Sequence, residues 1–195
     1  MLPIAVIVIP SIVAVVAILL ILVVSGRKNK ANGPKNGKNT RKKNKQALLK
    51  EANRRLSQNP KDAEALQTVG QNHLEEGNYE KAMRTYEMLI DLCATDKELD
   101  EFDFTLKHAI SALRAQHLKE AYKSFKLART MKQDVFEVNY NLGYLEYKAK
   151  NYEKAASLLQ HALQQQPEHV QSLKYLGMTR LKLKRYKEAS TSLRK

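Results

Sequence analysis

The sequence predicts an all-α protein: a solenoid of helical hairpins, preceded by a single transmembrane helix and a disordered basic linker. Three observations carry this. An alanine recurs at Ala82, Ala121, Ala155 and Ala189, in steps of 39, 34 and 34 residues, with matching neighbours each time. Residues 1–26 hold no Asp, Glu, Lys or Arg, and Leu2 to Val24 is apolar except for Pro3, Pro10 and Ser11. The formal net charge of +14 is concentrated between these regions: residues 27–61 have thirteen basic residues and one acid, Glu51. Residues 62–195 hold 21 basic and 19 acidic residues and are close to neutral. A charge of this size first raises nucleic acid or an acidic membrane surface. Its confinement to one block removes the repeats from that reading.

The apolar start reads as a membrane anchor over residues 1–26. The 23 residues from Leu2 to Val24 cover about 34 Å as a helix, enough for a hydrocarbon core of about 30 Å. Pro10 kinks it, and Ser11 helps satisfy the freed backbone groups. A cleaved signal peptide needs a basic start, a shorter apolar core and a small-residue cleavage site. No Lys or Arg precedes this run, and the run is too long. Nine basic residues follow from Arg27 to Lys45, with no acid. The positive-inside rule then puts the N-terminus outside and the repeats in the cytosol.

Residues 27–46 are Lys, Arg, Asn and Gly with few others, and Ala31 is the single apolar side chain before Gln46. Such a segment buries too little to offset its ordering entropy, so a disordered linker is expected. Arg27–Lys45 reads first as a topology determinant and second as a contact for anionic lipid headgroups. Nucleic acid is not expected, because the run has no aromatic residue to stack on bases.

The array is expected over residues 62–195, as units of about 63–96, 102–135, 136–169 and 170–195, the last incomplete. Twelve residues before each alanine stands Gly70, Ala109, Gly143 or Gly177. Three before stands Tyr79, Leu118, Tyr152 or Tyr186, and four after stands Tyr86, Phe125, Leu159 or Leu193. Each unit reads as two helices joined by a tight turn, such as Gly77-Asn78 or Lys150-Asn151. The small residue allows close approach where the helices cross. One unit cannot bury its own apolar face, so stacked neighbours supply the core. Lys97 to Glu101 are extra in the second unit and lengthen its entry. Residues 47–61, with Leu48, Leu49, Ala52 and Leu56 ending at Pro60, read as a capping helix, a degenerate half unit.

Tyr140-Asn141-Leu142-Gly143 through Asn151-Tyr152-Glu153-Lys154-Ala155 resembles the tetratricopeptide repeat. So does Val69-Gly70 through Gly77-Asn78-Tyr79-Glu80-Lys81-Ala82, and the resemblance covers about residues 60–195. It implies a groove lined by the first helix of each unit. In this register the groove stripe is Gln67, Gln71 and Leu74, then Leu106, Ile110 and Leu113, then Tyr140, Tyr144 and Tyr147, then Lys174, Met178 and Leu181, with Tyr175 adjacent. The partner groove is therefore placed on Leu106, Ile110, Leu113, Tyr140, Tyr144, Tyr147, Tyr175, Met178 and Leu181. Tyrosine suits an interface because it offers area, a low entropy cost and a polar tip. The competing reading is that these side chains pack between adjacent first helices. Some members of the family hold a carboxylate in a Lys/Asn/Arg clamp. Gln67, Gln71, Lys107, Glu137 and Asn141 at the matching positions do not make one.

No catalytic or cofactor motif is present. His73, His108, His117, His161 and His169 form no metal-binding spacing, Cys93 is alone, and no phosphate-binding glycine loop occurs. No enzyme activity, metal or cofactor is expected. The reading is a membrane-anchored adaptor that presents a cytosolic array to a partner protein. The anchor, linker and repeats resemble bacterial inner-membrane repeat proteins more than mitochondrial outer-membrane import receptors. Two alternatives stand beside it: a sensor of anionic lipid surfaces whose repeats oligomerise, and a non-catalytic regulatory subunit of a membrane enzyme. The uncapped last unit calls for a partner, a second copy making a homo-oligomer, or further repeats.

Overall fold

The computed structural model describes residues 36–194. The anchor expected over residues 1–26 and the start of the linker lie outside the described residues. Among the described residues no helix is long and apolar enough to cross a membrane. The described chain is all α: α1 (Asn36–Gln58), α2 (Ala63–Glu75), α3 (Tyr79–Cys93), α4 (Glu101–Arg114), α5 (Leu118–Met131), α6 (Phe136–Lys148), α7 (Tyr152–Gln165), α8 (Val170–Lys182) and α9 (Tyr186–Leu193).

The chain divides into two compact units between Ala47 and Leu48. Of the first unit, residues 36–47 are described and are helical. Over residues 36–46 this differs from the expected disordered linker; residues 27–35 lie outside the described residues. Lys, Arg and Gln lose little rotamer freedom in a helix. Once a turn exists, each further residue adds a bond at little cost. In the second unit the remainder of α1 does less capping than its apolar spacing implies. Ala52 is buried and Leu56 packs on the core, but Leu48 is 64% exposed.

From Ala63 the helices pair as α2/α3, α4/α5, α6/α7 and α8/α9, and each packs on the next. The turn inside each hairpin is the same. Gly77, Gln116, Lys150 and Lys184 take positive φ, 76°, 66°, 65° and 60°. The amide of the next residue, Asn78, His117, Asn151 or Arg185, donates back to His73, Ala112, Glu146 or Arg180. This ends the first helix in a Schellman motif and aims the chain back along it.

The small position proves to be a side-chain contact sixteen residues long. A Cβ on Gly70 would lie 3.2 Å from the Tyr86 ring, and one on Gly143 would lie 2.8 Å from Leu159 Cγ. Gly177 stands in the same way against Leu193, at 2.6 Å. Three buried clusters fill the array, and each spans a junction. Leu66, Tyr86 and Leu89 meet Phe104 of the next hairpin. Phe125 and Ala128 meet Val138 and Leu142, and Leu159 meets Leu176. The five extra residues mainly lengthen the α3–α4 connection, where Asp100 caps α4 by accepting from the Asp103 amide.

Candidate functional site

The first helices α4, α6 and α8 bring most of the expected groove together. Tyr140, Tyr144 and Tyr147 recur at helical spacing on α6 and are all half-buried. Tyr144 meets Tyr175 of α8 edge-on with centroids 5.1 Å apart, and Tyr147 meets the same ring at 5.5 Å. A groove of about 490 Å³ runs past Ile110, Leu113, Tyr140, Tyr144 and Tyr175. Leu106, Ile110, Leu113 and Tyr144 pack against the core of the second and third hairpins, while Tyr140 and Tyr175 pack against that of the last two. Tyr140, Tyr144 and Tyr175 are thus packing residues and groove walls at once, whereas Tyr147 joins them through Tyr175 and, like Leu106, does not line the groove itself.

Burial pushes the phenols of Tyr140 and Tyr175 above their ordinary range, and neighbouring tyrosines add to it. Among the described residues, no hydrogen bond engages the phenol oxygens of Tyr140, Tyr144, Tyr147 or Tyr175. The groove wall therefore offers three polar tips on apolar rings, with that of Tyr147 beside them. By contrast, the α2 end is polar and internally occupied, with the Tyr86 hydroxyl directed at Gln71 Oε1.

Two further residues belong to the wall. Phe136 lies parallel to Tyr140 at 5.9 Å, one turn earlier on α6. His169 sets its ring edge-on to Phe136 at 4.7 Å and to Tyr140 at 4.9 Å. Continuing the tyrosine stripe by one i−4 step finds Phe136. His169 gives no such signal, because its position comes from its role as the N-cap of α8. Its Nδ1 accepts from the Ser172 amide, which fixes the ring. At the far end Met178 is half-buried and Leu181 is 45% exposed, and neither joins the aromatic array. In the last unit Tyr175, not Lys174, faces the tyrosines of α6; Lys174 is exposed.

The residues weighed for chemistry are elsewhere. His108 is buried between α4 and α5, with Nδ1 2.9 Å from Ser124 Oγ, and burial holds it below the usual imidazole range. Cys93 is buried, its thiol donating to the Leu89 carbonyl and pushed up by burial. Among the described residues no group of His, Cys, Asp and Glu is arranged to hold a metal.

Comparison with known proteins bears on the fold. Three family models, each described as tetratricopeptide repeat, match residues 63–96, 106–169 and 146–195. MamA has a similar structure, with a TM-score of 0.69 at 14% identity over 80% of this chain and 89% of that one. MamA from Desulfovibrio magneticus RS-1, residues 41 to its end, scores 0.67 at 18% identity, over 78% and 84%. YrrB, described as a TPR protein with an unusual peptide-binding site, scores 0.66 at 14% identity, over 78% and 76%. No curated protein matches the sequence. At these identities the likeness is one of fold.

Proposed function

Because residues 63–96 and 106–195 carry tetratricopeptide repeats, we propose that the chain is a membrane-anchored adaptor whose first-helix groove holds a segment of a partner protein. The aromatic wall carries this reading. Tyr140, Tyr144, Tyr147 and Tyr175, with Phe136 and His169, give large rings, and the four phenol tips have no hydrogen-bond partner among the described residues. A bound segment can lay apolar side chains on the rings and its backbone on the hydroxyls. Such a protein acts by recruitment and needs no catalytic group. The uncharged run from Leu2 to Val24 fixes it in a membrane, in our reading the bacterial inner membrane with the repeats cytosolic. The basic stretch after it gives orientation and reach.

The test is crosslinking and affinity purification from membranes with the full chain and with Tyr140, Tyr144 and Tyr147 changed together to Ala. A partner recovered by the first and lost by the second, at equal helicity, supports the reading. Equal recovery by both overturns it. The milder Tyr144→Ser covers the case in which the triple variant unfolds. Deleting residues 1–26 should move the protein out of the membrane fraction.

A second reading rests on the nine basic residues from Arg27 to Lys45. Each is worth about 1 kcal/mol near an anionic headgroup surface. Residues 27–195 would then bind anionic vesicles in a salt-sensitive way, and lose that binding when these charges are removed.

A further inference from the structure

We infer that a second pocket, between the second helices α5 and α7, is an oxyanion site that takes a carboxylate or phosphate group. It shares no lining residue with the tyrosine groove. Tyr122, Lys126 and Arg129 recur on one face of α5, Lys154 and Ser157 line the pocket from α7, and Glu146 of α6 completes it around a space of about 520 Å³.

Three observations point to an anion. The first is charge: three cations and one carboxylate line the pocket, and that carboxylate is already occupied. Glu146 accepts from the Tyr122 hydroxyl at 2.8 Å and from Asn151 Nδ2 at 2.7 Å. The second is an unmet donor. Arg129 Nε is buried and has no hydrogen-bond partner among the described residues. A buried donor of a charged group is costly to leave unpaired, and folded proteins rarely leave one so. The third is the repeat itself. Stepping by the repeat period, Arg129 falls on Ile90 and Leu163, both packed against the core. An arginine therefore stands where the first and third hairpins place an apolar side chain.

A guanidinium is suited to the task. Its planar fork matches two oxygens of a carboxylate or phosphate. Among the described residues neither Lys126 nor Lys154 is in an ion pair; Lys126 Nζ lies 6.0 Å from the Tyr122 ring centroid. Both are free to swing onto a bound anion.

The test follows the arginine Nε–H resonances of the full chain, labelled with ¹⁵N-arginine in zwitterionic micelles. Inorganic phosphate and a hexaglutamate peptide are titrated separately, with sodium chloride as the ionic-strength control. The Arg129 resonance should move and saturate. Saturation by phosphate alone assigns a free or ester phosphate, and tighter saturation by hexaglutamate assigns an acidic segment. Arg129→Gln should weaken binding about tenfold or more. The basic stretch after the anchor is unchanged in that variant, so its own anion binding cancels in the comparison. Arg129→Leu, which restores the residue of the third hairpin, Leu163, should abolish binding and raise the melting temperature without anion. An Arg129 resonance unmoved by both probes, or wild-type binding by both variants, overturns the inference.

Discussion

Replacing Gly143 by Ala tests whether the helix crossing, rather than backbone freedom, is what demands a small residue. The added Cβ would sit 2.8 Å from Leu159 Cγ, 3.0 Å from its Cδ2 and 3.2 Å from its backbone nitrogen. Leu159 is fully buried and the nitrogen belongs to α7, so neither can give way cheaply. Overpacking of this kind costs about 1–3 kcal/mol. Against it stands the gain of Ala over Gly inside a helix, about 0.5–1 kcal/mol. The net is a loss of about 1–2 kcal/mol, or about 2–8 °C in melting midpoint for a chain of this size. Thermal unfolding followed by circular dichroism reads it. The control is the same change in a Leu159→Ala background, where the clashing methyls are gone. There Gly143→Ala should be close to neutral, and the difference between the two backgrounds isolates the contact. A variant as stable as the wild type in the normal background would refute the argument.

The other expectations concern the neighbouring hairpins. Gly177→Ala should cost less than Gly143→Ala despite its nearer contact, because Leu193 is 50% exposed at the end of α9 and can swing away; thermal midpoints compare the two. Lys150→Gly should stabilise by about 0.5–1 kcal/mol, since Lys150 holds φ 65° where a side chain is strained, and Gly77→Ala should do the reverse; urea titration measures both. Burial holds His108 below its unfolded value, with Glu120 and Glu87 pulling weakly the other way. The unfolded chain therefore takes the proton first. This contribution is fully present above about pH 6.5, falls as pH drops below that, and levels off below the folded pKa. His108→Gln should flatten the pH dependence of stability in that window, leaving the part due to His73, whose pKa burial also lowers.

The repeat was legible because its contacts lie at fixed sequence spacing. Gly70 and Tyr86, Gly143 and Leu159, Gly177 and Leu193 each touch across sixteen residues, so one alignment finds every hairpin. The turns were legible at Gly77-Asn78 and at Lys150-Asn151, but only the first carries the glycine that announces its backbone. Gln116, Lys150 and Lys184 take the same left-handed backbone without the residue that announces it. At those positions the Schellman hydrogen bonds and the packed hairpin outweigh local preference. The helical state of residues 36–46 was missed for the opposite reason: low burial argued for disorder, while the propensity of Lys, Arg and Gln favours extending a helix already begun at Ala47. Arg129 was invisible because a surface cation and a cation in a packing position look the same until the helices are placed.

The groove shows why sequence left two readings of the tyrosines open. Packing between first helices and lining a groove were set against each other, yet the rings do both. Tyr144 and Tyr147 meet Tyr175 at 66° and 56°, so contact between helices uses edges and leaves part of each ring uncovered. His169 pins Tyr140 and Phe136 in the same way, while its own ring is fixed by the Ser172 amide. A side chain held by its neighbours has little rotamer freedom left to lose when a ligand arrives, and that loss is a main cost of binding. Packing between repeats is then what makes the wall fit to bind. Substitutions that loosen it, such as Tyr175→Ala or His169→Ala, should weaken a partner held on Tyr140 and Tyr144 even where they touch nothing of that partner.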